Sequence, residues 1–74
     1  MANIQRPFDF LNSALNKTVL VRLKEDKELR GKLVAFDVHM NIVMDEVEEL
    51  EDGKVIKKIG SMLVRGDNIV FISP

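Results

Sequence analysis

The sequence predicts a mainly β protein: a strongly bent, five-stranded antiparallel small barrel capped by a short N-terminal α-helix, one domain over residues 1–74. Three observations carry this expectation. Val and Ile together number fifteen against eight Leu, a bias toward strand. From Thr18 onward apolar and polar residues alternate with a period of two, interrupted by short polar turns. Only the first segment keeps a helical spacing.

In that segment Ile4, Phe8, Leu11 and Leu15 recur at intervals of four, three and four, which places them on one helical face. Pro7 suits a first turn, where its missing N–H costs nothing, and Asp9 complements the positive helix end. Asn16 is a suitable stop. A helix is expected over about 7–15, too short to persist unless its apolar face docks. Strands are expected over about 18–24, 28–37, 41–51, 54–64 and 68–72. Glu25-Asp26-Lys27 reads as a polar turn, Asp52-Gly53 as a hairpin turn and Arg65-Gly66-Asp67 as a third turn. Gly31 and Gly60 fall inside strands, where glycine marks a bend or bulge. A short antiparallel sheet bent this sharply curls into a small barrel, which the helix would plug at one end.

Size and composition narrow the class further. At 74 residues a single core supplies no more than ~3–5 kcal/mol without a staple. With no cysteine there is no disulfide frame and no thiolate metal site, and a lone histidine builds no multi-histidine centre. Oligomerisation through unpaired strand edges is the staple left open. The chain is 46% hydrophobic and 31% charged, which is not the profile of disorder. No apolar run reaches the ~20 residues of a membrane span, and the first residues lack a secretory signal's apolar core. A cytoplasmic protein with no membrane partner is expected. The net charge of −1 excludes a broad phosphate-gripping face. Any nucleic-acid binding would have to use a local, base-directed site.

Two turns could carry such chemistry. In Phe36-Asp37-Val38-His39-Met40-Asn41, Asn41 offers a donor beside an acceptor, suited to a uracil or adenine edge, and His39 offers a flat ring for stacking. The competing reading is that Asp37 and Asn41 merely satisfy turn backbone groups. In the second turn Arg65 can stack on a base or reach a phosphate, Gly66 supplies an unusual backbone angle, and Asp67 accepts hydrogen bonds. An ordinary polar loop is the alternative there. The acidic run Asp45–Asp52 reads as a solvated face paired across the hairpin with Lys54, Lys57 and Lys58 rather than a cation or glycosidase site. No nucleophile–base set is present, no cofactor is expected, and the chain reads as a non-enzyme. Met40, Met44 and Met62 fall in apolar patterns and read as core. Arg6, just before the helix, is a candidate for a secondary phosphate or stacking contact outside the two turns.

Taken together, the two turns resemble the Sm/Lsm family. The first Sm motif is matched by Gly31–Met44 (GKLVAFDVHMNIVM) and the second by Leu63–Ile69 (LVRGDNI). The chain is most similar to the archaeal Sm-like branch, being short and having the His-Met-Asn form. The resemblance implies the helix-capped bent barrel, and a ring of identical subunits with a central pore, a homoheptamer in the archaeal branch. It implies a ligand, single-stranded U-rich RNA, bound at the pore: His39 and Arg65 sandwiching a base, Asn41 reading the uracil edge, Asp67 supporting the Arg65 turn, Asp37 and Gly66 supporting the pocket. It also implies a role as an RNA scaffold or chaperone, with RNA-processing proteins as further partners. Two other classes stay open on the sequence: a protein-interaction ring without sequence-specific RNA binding, and a monomeric small barrel that binds single-stranded DNA. The second wants exposed aromatic residues, and the chain has four Phe with no Tyr or Trp.

Overall fold

The computed structural model describes residues 6–74, so the expectation for Ile4 lies outside the described residues. Helix α1 spans Pro7–Ala14, with Pro7 in the first turn and the Asp9 carboxylate accepting the Arg6 backbone N–H at 3.1 Å. Its docked face differs slightly from the expected one. Leu11 and Ala14 are buried and Phe10 and Leu15 pack against the core, while Phe8 stays 39% exposed against the Phe36 ring, 5.7 Å between centroids. The docked stripe is Phe10, Leu11 and Ala14, at i, i+1 and i+4, which at about 100° per residue sets Phe8 on its flank, while Leu15 is already the C-cap with ψ 135°. Asn16 then takes φ 65°, a left-handed angle that asparagine tolerates, and its N–H donates to Leu33 O at 2.7 Å. That bond and the Leu33 N–H donated to Lys17 O, 3.0 Å, stitch the helix exit onto the sheet.

The strands are β1 (Thr18–Leu23), β2 (Lys27–Phe36), β3 (Ile42–Glu51), β4 (Lys54–Val64) and β5 (Ile69–Ser73). They form one antiparallel sheet in the order β4-β3-β2-β1-β5. The turn before β2 carries left-handed Glu25 (φ 67°) and Asp26 (φ 61°), and the β3–β4 turn does the same with Asp52 (φ 51°) and Gly53 (φ 80°). Paired positive φ angles match the right-handed twist of the flanking strands, so both hairpins close tightly.

Curvature comes from a bulge at Asp45–Glu46. Arg30 faces Glu48 but Lys32 faces Asp45, so Gly31 alone spans two β3 residues; on the other side Met44 faces Met62 and Val47 faces Gly60. Glu46 takes φ 53° and Gly60 φ 90° at this bend. The extra residue shifts the phase of burial from Ile42 and Met44 to Val47, which keeps apolar side chains inward through the bend. Gly31 is needed for its missing side chain: a Cβ there would lie 2.9 Å from the Asp45 carbonyl oxygen and 3.0 Å from Val47 Cγ2. The Asp45 carboxylate clasps the bulge, accepting the Ser61 hydroxyl and the Glu46 N–H at 2.8 Å each. The Ser61 hydroxyl, first, holds its pKa below 3.8. Asp45 therefore leaves the cross-strand charge ladder expected of the acidic run, while Glu48, Glu49 and Glu51 do stand opposite Lys58, Lys57 and Lys54.

The core lies in the concavity of the sheet beneath α1, with Val21, Leu33, Ile42 and Met44 fully buried. Met40 and Met62 pack against it as expected. β4 and β5 end the sheet and are not paired with each other. All of Lys54–Ser61 is exposed, and Leu63 and Val70 are 62% and 59% exposed. No helix among the described residues is long and apolar enough to cross a membrane.

Candidate functional site

The loop from Asp37 to Asn41 is built around one carboxylate. Asp37 Oδ1 accepts the backbone N–H groups of His39 (2.9 Å) and Asn41 (3.0 Å), and Oδ2 accepts the Asn41 side-chain Nδ2 at 3.0 Å. The backbone closes the same loop through Asp37 N–H to Asn41 O (3.1 Å) and Met40 N–H to Asp37 O (3.0 Å). Met40 takes φ 64°, which turns its side chain in against the core and leaves His39 exposed at the rim. The Asn41 side-chain amide is the largest influence on the Asp37 carboxyl; desolvation opposes it, and the backbone N–H groups of Asn41 and His39 add to it, so the carboxyl is held below 3.8. Asp37 is thus a strut of its own loop.

Asn41 joins this loop to the second one. Its Oδ1 accepts the Gly66 N–H at 2.8 Å, across 25 positions of sequence. A carboxylate only accepts and a backbone N–H only donates, so the two partners fix which end of the amide is nitrogen. One Nδ2–H and one Oδ1 lone pair remain for a ligand. Asn41 is therefore both a strut and a donor–acceptor pair of fixed sense.

Gly66 corrects one expectation. Its backbone is not left-handed, unlike Gly53 and Gly60. What it provides is room, since a Cβ would run into the His39 carbonyl oxygen and lie 2.8 Å from Met40 C. Residue 66 thus sits directly on the His39–Met40 backbone, which brings Arg65 beside the first loop. The turn continues as a single 3₁₀ turn over Gly66–Asn68, closed by the Asn68 N–H to Arg65 O at 3.0 Å. The Arg65 guanidinium meets Asp67 Oδ2 at 2.9 Å, with the two side chains 76% and 64% exposed. Such an exposed pair adds little stability.

One residue near the site escapes the sequence reading. A recess of about 460 Å³ beside the Arg65 turn is bounded by residues including Leu23, Lys24, Met62, Arg65, Asp67 and Asn68. In sequence Lys24 reads only as a strand end, and no local pattern ties residue 24 to residue 65. Arg6 lies at the start of α1 with its guanidinium 3.5 Å from Asp9 and its side chain 80% exposed. No group of three or more His, Cys, Asp or Glu among the described residues is arranged to hold a metal ion.

These features define a small open barrel whose one elaborated region is the junction of two interlocked loops. The chain belongs to the LSM-domain family, whose model matches residues 9–74. It is 58% identical over 69 residues to an snRNP Sm-like protein of Methanococcoides burtonii, covering 93% of this chain and 96% of the relative. It is 54% identical to the Methanosarcina barkeri protein of the same name over all 74 residues and the whole of each chain. Among solved structures it is similar to the Pyrococcus abyssii Sm protein in complex with a uridine heptamer (44% identity, TM-score 0.89, 95% of this chain and 99% of that one). It is also similar to a heptameric archaeal Sm protein (46% identity, TM-score 0.81, 88% and 94%).

Proposed function

We propose that this chain is a non-catalytic RNA-binding subunit that assembles into a homo-oligomeric ring, a heptamer, and binds single-stranded U-rich RNA at the pore as an RNA scaffold or chaperone. The observation that carries the reading is the Asp37–Asn41–Gly66 lock. It places a stacking ring (His39), a planar cation (Arg65) and an amide of fixed sense (Asn41) at one loop junction. The free Nδ2–H and Oδ1 of Asn41 match a uracil carbonyl beside its N3–H. Asp67 holds Arg65 flat for stacking. Arg6, exposed at the helix start, supplies a secondary RNA contact. Support for the ligand class and the ring comes from the similar archaeal proteins, one in complex with a uridine heptamer and one heptameric. The two unpaired edges, β4 and β5, fit a head-to-tail interface that closes on itself. The charged, cysteine-free composition fits a cytoplasmic location.

A native mass spectrum with and without oligo(U) tests ring and ligand together. His39→Ala leaves the lock intact, because His39 enters it only through its backbone N–H. Loss of one stacking face, about 1–3 kcal/mol, should weaken oligo(U) binding by roughly 5- to 150-fold. Unchanged affinity would remove His39 from the site. Asn41→Ala should erase preference for oligo(U) over oligo(C); a retained preference would assign uracil reading elsewhere.

A further inference from the structure

The two open edges differ in length, eleven residues in β4 against five in β5. On the ring reading proposed above, a neighbour's β5 spans about half of β4 and leaves the rest uncovered. The halves of β4 also differ in character. From Met62 to Val64 the register with β3 is unbroken, and Leu63 offers an exposed apolar side chain. From Lys54 to Gly60 the register slips twice, leaving Ile56 and Ile59 between ladder pairs. That half still exposes Val55, Ile56 and Ile59 at 42%, 53% and 37%. It is an apolar edge of the kind that recruits another strand.

We infer that the Lys54–Gly60 half of β4 is a guarded edge, on which Lys54 and Lys58 prevent pairing with the same segment of a second ring. Identical segments meeting antiparallel about Ile56 place Lys54 opposite Lys58 twice, once on each side of the two-fold axis. Like charges directly opposite one another oppose pairing, and the bulges twist the edge away. The lysines also face Glu51 and Glu48 within the chain, which would account for them without any guard. However, Glu48 already accepts the Arg30 guanidinium at 3.0 Å, so Lys58 is not needed to neutralise it. On the ring reading the neighbour's β5 takes the regular Met62–Val64 half of β4, so the guard acts on a separate surface.

Charge reversal separates the two explanations. Lys58→Glu puts a carboxylate opposite Lys54 across the two-fold and should turn repulsion into attraction, giving a species of twice the parent ring mass by light scattering. Lys54→Glu/Lys58→Glu restores like charges and should return the single-ring mass. Lys54→Thr/Lys58→Thr removes both cations without adding charge and should also double the mass. Glu48→Gln/Glu51→Gln removes the in-chain partners of Lys58 and Lys54 but keeps the guard, and should stay at the parent mass. Thermal melts by circular dichroism accompany each variant. The proposal is overturned if both Lys58→Glu and Lys54→Thr/Lys58→Thr keep the parent mass, or if Glu48→Gln/Glu51→Gln doubles it as well. A parent protein that runs at the 8.4 kDa of one chain would instead overturn the ring reading, and this proposal with it.

Discussion

Asp37 shows how a single carboxylate organises a binding loop. It accepts three hydrogen bonds from the residues it must position, and each is made to the charged form. Its folded pKa therefore lies below the ordinary 3.8. A depressed carboxylate contributes stability that is fully present above the unfolded pKa and is lost as pH falls through the folded one. Urea midpoints of the parent and Asp37→Asn should differ most at neutral pH and converge as pH drops below about 4, where a protonated Asp37 resembles asparagine. A difference that stays constant from pH 7 to pH 3 would show that the carboxylate's charge is not what holds the loop. The residue types at this site were legible from the sequence, because turn chemistry is local and Asp-x-His-Met-Asn announces it. The double duty of Asn41 and the spatial role of Gly66 were not. Both depend on contact between segments about 25 positions apart, which no local pattern encodes.

Among the elements, the hairpin turns and the strands could be read because period-two alternation and Asp-Gly leave direct traces in sequence. Gly31 marked a bend, yet the extra residue belongs to β3, at Glu46, and Gly31 is the gap that lets β3 press in. The run DEVEELED concealed this, since charge composition does not reveal that Asp45 turns back to clasp Ser61. Two effects compete in Gly31→Ala. Alanine is favoured over glycine within a strand by roughly 0.5–1 kcal/mol, whereas its Cβ would meet backbone at 2.9 Å. Overpacking against backbone typically costs about 1–3 kcal/mol, so the clash should win and the variant should lose stability. A lower urea midpoint with an unchanged slope is the expected result. A variant as stable as the parent would mean that β3 yields at the bulge, and that Gly31 does not set the curvature.

At the scale of the whole molecule the decisive quantity is net charge. The chain carries −1, so the proposed ring is an anion overall at any size and has no general attraction for RNA. Affinity must then come from base stacking at roughly 1–3 kcal/mol per filled site, repeated around the ring on one continuous strand. On the proposed reading, phosphate contacts fall to the cations beside the loop junction. Arg65 is already engaged by Asp67, and Lys24 lies in the recess beside it. For single strands log K falls with log salt at a slope of about −0.7 per phosphate neutralised. If fewer than about three phosphates are neutralised, raising KCl from ~50 to ~200 mM should weaken oligo(U) binding by no more than about tenfold. At the same single-strand slope, a protein gripping six to ten phosphates would lose about 300-fold to 10⁴-fold over that range. Fluorescence anisotropy titrations across that salt series decide the matter. A steep slope would mean that the RNA follows a cationic track instead, leaving the loop junction of His39, Asn41 and Arg65 to select the base without supplying most of the affinity.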